Sequence, residues 1–240
     1  MRFFALMLLV LLGWAWVGAR PAQAHVQDRH HVHAGARSAA TGPKLPQRID
    51  LARAQRSSRL MADQVMAAAD ASGLPFAVVD KESALLSVFR ADGRLAGSTP
   101  VLLGRMPGDL AAPGVGDRAQ TGQMRSTDYT TPAGRFAAEP GRNRSGEPII
   151  WLDYANALAI HRLRPAPAAE QRARRLASPW PSDHRITAGC VVVPVAFFEG
   201  VVHQVLGRSR SVVYVLGQDG RANLPLRLQV QAQAATPPSP

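Results

Sequence analysis

Cysteine is nearly absent from this chain, which has a single one, Cys190, in 240 residues. Proteins that rely on disulfides for stability carry cysteines in pairs, so an internal disulfide framework is excluded. In an oxidising compartment a lone thiol is a liability unless it is buried or chemically required. Cys190 is therefore a candidate nucleophile, and an inert buried thiol is the alternative.

Acidic residues are also scarce: 17 Asp and Glu stand against 28 Lys and Arg, for a formal net charge of +11. Such an excess favours polyanionic partners. No clustered Lys/Arg motif accompanies it, so we expect no nucleic acid partner. Anionic envelope polymers, such as peptidoglycan with its carboxylates, fit better, and a merely solvated basic surface is the alternative.

The sequence also lacks a rigid metal motif and a Gly-rich phosphate loop that precedes a helix, so we expect no cofactor and no metal. Four histidines do occur close together, but in a segment rich in Gly, Pro and basic residues that has no apolar periodicity. They are His25, His30, His31 and His33. We interpret residues 25–48 as a flexible linker.

Residues 1–24 predict a secretory signal peptide. Arg2 gives a positive start, residues 3–17 are almost entirely apolar, and Ala22-Gln23-Ala24 matches the small-x-small cleavage pattern. The apolar run is short for a spanning helix. We therefore expect an exported protein of the periplasm or cell envelope, with no stable membrane span after cleavage; an uncleaved anchor is the alternative.

From residue 49 the chain shows the patterns of a folded domain. Apolar residues recur at helical spacing after a candidate N-cap, Asp50, and predict one amphipathic helix over 49–74. Short apolar runs then predict a mainly β fold with peripheral helices. The predicted strands cover 76–79, 85–90, 95–104, 149–153, 157–163 and 211–216, and the predicted helices cover 168–177 and the segment after Pro194. Residues 105–148 lack periodicity, which is typical of a functional stretch, and 218–240 predict a terminal strand and a disordered tail.

The residues before Cys190 suit a nucleophile. Ala188 and Gly189 are small, so the backbone can approach a substrate closely, and a turn there can direct N–H groups toward an oxyanion. The helix predicted after Pro194 should place the thiol in a positive potential that lowers its pKa.

A cysteine nucleophile needs a base, and three histidines are candidates. His161 ends a strand-like run and could project rigidly toward the thiol, so we prefer it. His184 precedes Cys190 by six residues but lies in a polar loop, where a solvated surface role is expected. His203 falls among apolar residues of a predicted helix, where a structural role is simplest.

Three separated segments resemble the L,D-transpeptidase catalytic domain, also called the YkuD-like domain. The family's Thr-Pro-x-Gly-x-Phe segment is similar to Thr131-Pro132-Ala133-Gly134-Arg135-Phe136. Its catalytic histidine strand is similar to Ile160-His161, and its Ser/Thr-x-Gly-Cys motif to Thr187-Ala188-Gly189-Cys190. The resemblance implies a mixed β-sandwich catalytic domain over 75–217, preceded by the amphipathic helix.

By this resemblance Cys190 attacks the stem-peptide carbonyl of peptidoglycan to form a thioester, with His161 as proton carrier. An amine from another stem, a D-amino acid or a lipoprotein lysine then resolves it. The implied oxyanion donors are the N–H groups of 188–190, and Thr187, Arg162 and Arg185 are expected to contact substrate.

Two departures from the family pattern keep alternatives open. Val192 stands where an Arg or Asn is usual, and residues 164–181 form an insertion that is either a lid or a surface excursion. The alternatives are a hydrolase of the same fold, of L,D-carboxypeptidase or amidase type, and a catalytically silent peptidoglycan-binding module.

Overall fold

The computed structural model describes residues 48–218. The predicted signal peptide, nearly all of the predicted linker and the tail from 219 onward lie outside the described residues. Within residues 48–218 no helix combines the length and apolarity that crossing a bilayer requires.

The amphipathic helix predicted near the start of the domain is present as α1, Leu51–Ala67. Asp50 caps it, since its carboxylate accepts the Arg53 N–H at 2.9 Å. The helix is shorter than the predicted 49–74, because Ala69 and Ser72 adopt positive φ values and turn the chain.

Within residues 48–218 ten strands are present, as the sequence predicted for a mainly β fold with peripheral helices. They are β1 Phe76–Asp80, β2 Leu85–Phe89, β3 Leu95–Pro100, β4 Leu103–Gly104, β5 Gly134–Arg142, β6 Pro148–Asp153, β7 Leu158–Arg162, β8 Arg185–Thr187, β9 Val191–Val193 and β10 Ser211–Val215. The other helices are α2 Val115–Thr121, α3 Arg172–Leu176, α4 Val195–Phe197 and α5 His203–Val205, the last two joined by a π-helical turn, Phe198–Val202.

Eight of the strands form one mixed sheet in the order β3-β2-β1-β10-β5-β6-β7-β9, and β4 pairs with β8. Strand β5 joins the two halves of the large sheet. Its first part pairs with β10 and its second part with β6. Side chains from both halves share one apolar cluster, for example Leu86, Val213, Ile150 and Val191, so the sheet folds around a common core.

Strand β5 lies in the stretch from 105 to 148 that the sequence predicts to be irregular. Gly134, Pro140 and Gly141 interrupt the alternation of apolar and polar residues that identifies a strand. Gly141 is required by packing, because a Cβ there would lie 2.6 Å from the Trp151 ring. The strand is therefore specified by its neighbours in the sheet rather than by local pattern.

Helix α1 packs on the outer face of the first half-sheet. Its buried residues Met61 and Val65 join a second cluster that includes Phe76 and Tyr214. Below this cluster the Tyr214 hydroxyl donates to the Asp70 carboxylate, which also receives Arg135 Nε at 2.6 Å. Burial and the Asp70 carboxylate raise the pKa of Tyr214, so the phenol stays a donor.

We expect Tyr214→Phe to destabilise the fold by roughly 1–3 kcal/mol, because it removes a buried hydrogen bond to a charged partner. The free energy of unfolding in urea measures this. Tyr154→Phe is the matched control, since Tyr154 is 73% exposed. Equal urea midpoints for the two variants would contradict the role given to the hydroxyl.

Candidate active site

Strands β7 and β9 bring the predicted nucleophile and base together. They pair in parallel, with His161 opposite Val192, and Cys190 directly precedes β9. Side chains two residues apart share a face, so Cys190, Val192 and His161 lie on one face of the sheet. The alternate residues Ile160, Val191 and Val193 point into the main core. Cys190 and His161 are thus diagonal neighbours, with Cα atoms roughly 8 Å apart from strand geometry.

The turn before Cys190 is held by the Thr187 hydroxyl. It accepts the Gly189 N–H at 3.1 Å and donates to the Cys190 carbonyl at 2.7 Å. Gly189 has φ +128°, and a Cβ there would lie 2.8 Å from the Thr130 carbonyl oxygen, so glycine is required at this position. Thr187, predicted to contact substrate, is almost fully buried and braces the turn instead.

The same contacts narrow the set of oxyanion donors. The Gly189 N–H already donates to Thr187, which leaves the N–H groups of Ala188 and Cys190 from the three predicted. A small cleft at Ala188 and Gly189 is bordered by Ala157 and Pro132.

Thr131, in the Thr-Pro-x-Gly-x-Phe segment, fixes this turn through two hydrogen bonds of its hydroxyl. Its hydroxyl is fully buried, donates to the Gly189 carbonyl at 2.7 Å and accepts the Gly104 N–H at 2.8 Å. The peptide bond is planar and trans, so fixing the Gly189 carbonyl directs the Cys190 N–H the opposite way. Thr131 therefore sets the orientation of one candidate oxyanion donor.

Lys81 supports Thr131 in turn, and no pattern in the sequence pointed to it. The Lys81 side chain is fully buried, and Nζ donates to the carbonyls of Thr131, at 3.0 Å, and Gly108, at 2.7 Å. Its third partner is the Asp109 carboxylate, 2.6 Å away. Burial lowers the pKa of Lys81, and the Asp109 carboxylate acts against that effect.

His161 has the tautomer that a general base needs. Its Nδ1 lies 2.8 Å from the Arg162 carbonyl oxygen, which only accepts, so Nδ1 carries the proton. Nε2 of the neutral ring is then left with a free lone pair. Burial lowers the pKa of His161 to about 4, so the imidazole is neutral near pH 7.

Cys190 is half-buried, and its Sγ lies 3.5 Å from the Ala157 carbonyl oxygen, to which the thiol donates. Burial raises the pKa of the Cys190 thiol. A backbone hydrogen bond from Ala159 and the charge of Arg164 lower it, but they are the smaller effects. The prediction that a following helix lowers this pKa is wrong. Strand β9 comes next, and the helix begins only at Val195.

Two arginines of the insertion act on this pair, and the sequence analysis did not single them out. The charge of Arg164 lowers the pKa of both His161 and Cys190, and the charge of Arg172 lowers that of His161. Arg164 is held by Glu147 at 2.8 Å, and Arg172 by Glu170 at 2.5 Å. The sequence signal that could have pointed to these two arginines is the run of basic residues that follows His161 in the chain.

The two arginines that were predicted to contact substrate, Arg162 and Arg185, have partners within the protein. Arg162 neighbours His161 on β7, so its side chain emerges on the opposite face, where it pairs with Glu147 at 2.9 Å and Glu199 at 3.2 Å. Arg185 donates to the Lys81 carbonyl at 3.1 Å. Both guanidinium groups thus have partners within the protein.

Of the other two candidate bases, His184 has a structural role. His184 is fully buried, and its two ring nitrogens lie 2.9 Å from the Val101 carbonyl and 3.0 Å from the Ser178 carbonyl. The expectation of a solvated His184 is therefore wrong, because the loop folds inward against residue 101. His203 lies beside Phe198, with ring centroids 6.3 Å apart.

Val192 and the insertion pack together. Val192 is fully buried and clusters with Leu102 and Leu176, the latter from α3 within the insertion. An uncompensated Arg or Asn side chain at this position would lose its solvation under α3. The insertion therefore covers this side of the site rather than standing away from it.

No group of three or more His, Cys, Asp or Glu suited to a metal ion occurs within residues 48–218. No protein-family model matches the chain, and no curated protein matches it. Solved structures do match.

Among the matching structures are several L,D-transpeptidases. The domain from E. faecium L,D-transpeptidase is 18% identical, with 59% of this chain and 96% of that chain covered and a TM-score of 0.32. An L,D-transpeptidase from Stackebrandtia nassauensis is 17% identical, with 62% and 57% covered and a TM-score of 0.35. The helical cell shape determining protein Pgp2 from Campylobacter jejuni is 14% identical, with 74% and 61% covered and a TM-score of 0.41.

This chain thus spans nearly all of the E. faecium domain but only about 57 to 61% of the other two proteins. Similarity at this level leaves the function to be argued from the site's own residues.

We expect Thr131→Val to slow acylation of Cys190 by about tenfold or more, since loss of one oxyanion donor costs on the order of 100-fold and Thr131 only orients one. The rate of covalent labelling by a carbapenem, read by intact mass, measures this. Thr131→Ser keeps the hydroxyl and is the matched control. Equal labelling rates for the Val and Ser variants would contradict the orienting role.

Proposed function

We propose that the protein is a peptidoglycan L,D-transpeptidase that forms a thioester on Cys190 and transfers the acyl group to an amine. The observation that carries this proposal is the placement of Cys190 and His161 on one face of adjacent parallel strands. The candidate oxyanion N–H groups of Ala188 and Cys190 lie in the same turn as the thiol. Nucleophile, base and oxyanion donors are the parts that acyl transfer needs.

The first half of the reaction breaks the donor's amide. The Cys190 thiol turns from the Ala157 carbonyl toward His161, and Nε2 accepts its proton as sulfur attacks the carbonyl carbon. The oxyanion is held by the N–H groups of Ala188 and Cys190. When it collapses, the C–N bond breaks and His161 returns the proton to the departing amine, which leaves a thioester.

The second half runs the same steps in reverse order with a new amine. His161 Nε2 takes a proton from the acceptor nitrogen as that nitrogen attacks the thioester. The C–S bond breaks, and the thiolate takes the proton back from His161. His161 thus works from the neutral state at both ends of the cycle, which fits a ring whose pKa is lowered to about 4.

A hydrolase of the same fold, with water as acceptor, is the second candidate. A silent binding module fits the site less well, because such a module has no use for an unprotonated Nε2 on the same face of the sheet as a thiol. We also propose that the protein is exported to the cell envelope, because residues 1–24 have the pattern of a secretory signal peptide.

One experiment separates these functions. The protein that begins at His25 is incubated with tetrapeptide-stem muropeptides, and the products are identified by mass spectrometry. We expect crosslinked dimers or exchanged stems, and we expect Cys190→Ser to abolish them. Tripeptide monomers alone would mean hydrolysis. Unchanged substrate would sink the catalytic proposal. The double variant Cys190→Ser with Ser209→Cys carries one thiol at an exposed position outside the candidate site. It is the control for unspecific thiol chemistry and should form no product.

The pH dependence tests the neutral resting pair. Because burial raises the Cys190 pKa, we expect the rate of iodoacetamide alkylation to rise only above the range where the same protein unfolded in urea reacts. Fast alkylation near pH 6 would indicate a preformed ion pair between a Cys190 thiolate and a protonated His161 instead.

We also expect kcat/KM to stay constant from neutral pH down to about 5 and to fall below pH 4, because His161, with its pKa lowered to about 4, becomes protonated there.

A further inference from the structure

A cleft with a volume of about 340 Å³ lies between helix α1 and the edge strand β3, on the outer face of the first half-sheet. We call it the α1 cleft. Two cross-strand pairs of β2 and β3 form its floor, Ser87 with Ser98 and Phe89 with Leu95, and residues 52–59 of α1 form its wall. The candidate active site is on β7 and β9, at the other end of the sheet, so the α1 cleft is separate from it.

Serines stand where α1 and the sheet face each other across this cleft. The other buried residues of α1 are apolar: Ala54, Met61, Ala62 and Val65. Ser58 is the polar member of this buried stripe and is 1% exposed, and Ser87 on the facing strand is also buried. Protein interiors are normally packed without large voids, and bulkier apolar side chains at these positions would fill the space. The serines therefore keep the cleft open and make its floor polar.

The hydroxyl groups of this floor are left with unused hydrogen-bonding capacity. Ser58 lines the cleft, and its buried hydroxyl has no hydrogen-bond partner among residues 48–218. The hydroxyls of Ser87 and Ser98 bond to each other at 2.9 Å, which uses only one of their two protons. A buried hydroxyl without a partner destabilises the unbound protein. A ligand that itself carries hydroxyl groups would satisfy both the free protons and the free lone pairs.

Two arginines of α1 give the rim of the cleft a positive charge. Arg56 and Arg59 are three residues apart, so they lie on the same face of the helix, and both line the cleft. Neither pairs with a carboxylate within residues 48–218, whereas Arg53 on the same helix pairs with Glu82 at 3.0 Å. No aspartate or glutamate lines the cleft. Unpaired positive charge beside neutral hydroxyl groups favours an anionic occupant.

We propose that the α1 cleft binds an anionic sugar, a ligand that carries a carboxylate or a phosphate beside several hydroxyl groups. Arg56 and Arg59 hold the anion with charge-assisted hydrogen bonds, and the serines of the floor bond to the sugar hydroxyls. The exposed side chain of Leu95 contacts the carbon atoms of the ring. Such a site would hold the protein on an anionic polysaccharide at a point away from Cys190. This inference does not depend on the proposed function.

Binding of four small probes tests the proposal. The protein that begins at His25 is titrated with glucuronate, glucose 6-phosphate, glucose and inorganic phosphate at one ionic strength, and the NMR shifts of the α1 amides are followed. We expect the better of the two sugar anions to bind about tenfold tighter or more than glucose and than inorganic phosphate, the effect of adding one charge-assisted hydrogen bond to hydroxyl contacts. Which sugar anion binds tighter distinguishes a carboxylate ligand from a phosphate ligand. Equal binding of glucose or of inorganic phosphate, or no shift with any probe, would overturn the proposal.

Arginine variants test whether the anion lies in this cleft. Arg56→Gln and Arg59→Gln should each weaken binding of the tighter sugar anion by about fivefold, the contribution of an exposed charge pair. Arg144→Gln is the matched control and should keep the affinity, because Arg144 is an exposed arginine in the turn between β5 and β6. An affinity unchanged in both Arg56→Gln and Arg59→Gln would overturn the assignment.

Ser58→Ala separates binding from folding. It removes a buried hydroxyl that has no partner, so we expect the urea midpoint of the unbound protein to rise. Ser57→Ala is the matched control, because it brings the same gain in helix propensity at a position that does not line the cleft. Ser58→Ala should be more stable than Ser57→Ala and should bind the sugar anion about fivefold more weakly, the effect of one hydrogen bond. Equal stability or equal affinity of the two variants would overturn the role given to Ser58 and with it the proposed site.

Discussion

The hydrogen bond from the buried Thr131 hydroxyl to the Gly189 carbonyl is the constraint on which the candidate site depends. It fixes one peptide plane and with it the direction of the Cys190 N–H. The same hydroxyl accepts from Gly104, and Lys81 holds the Thr131 carbonyl, so the turn is tied to β4 and to the turn between β1 and β2. Donors fixed before substrate arrives need no reorganisation during the reaction.

Burial, more than charge, determines the protonation state of the candidate pair. For both Cys190 and His161 desolvation is the largest effect on the pKa, and it favours the neutral forms. Arg164 favours the thiolate, but its charge does not outweigh burial. In the proposed function the thiol therefore stays protonated, donating to the Ala157 carbonyl, and its proton moves only when a substrate carbonyl can accept the sulfur. A neutral resting thiol is also less readily oxidised than a thiolate.

Local patterns predicted the parts of the fold that local forces specify. Residue type and spacing identify the cap at Asp50 and the apolar runs of β1, β2, β6, β7 and β10. Strand β5 could not be predicted, because its glycines and proline interrupt the alternating pattern and its pairing with β10 and β6 is what keeps it extended. Arg162 could have been placed correctly, since adjacent residues of a strand face opposite ways. Lys81 could not, because only tertiary folding brings it to the site.

Val192 and the insertion are best understood as one change to the site. Once Leu176 covers the position two residues after Cys190, a polar side chain there would be buried without a partner, and valine removes that cost. The same segment that covers Val192 places Arg164 and Arg172 close enough to act on His161. The strand therefore carries an apolar side chain at this position, while the guanidinium groups stand on the covering segment. From there the charge of Arg164 still acts on both Cys190 and His161, and the charge of Arg172 acts on His161.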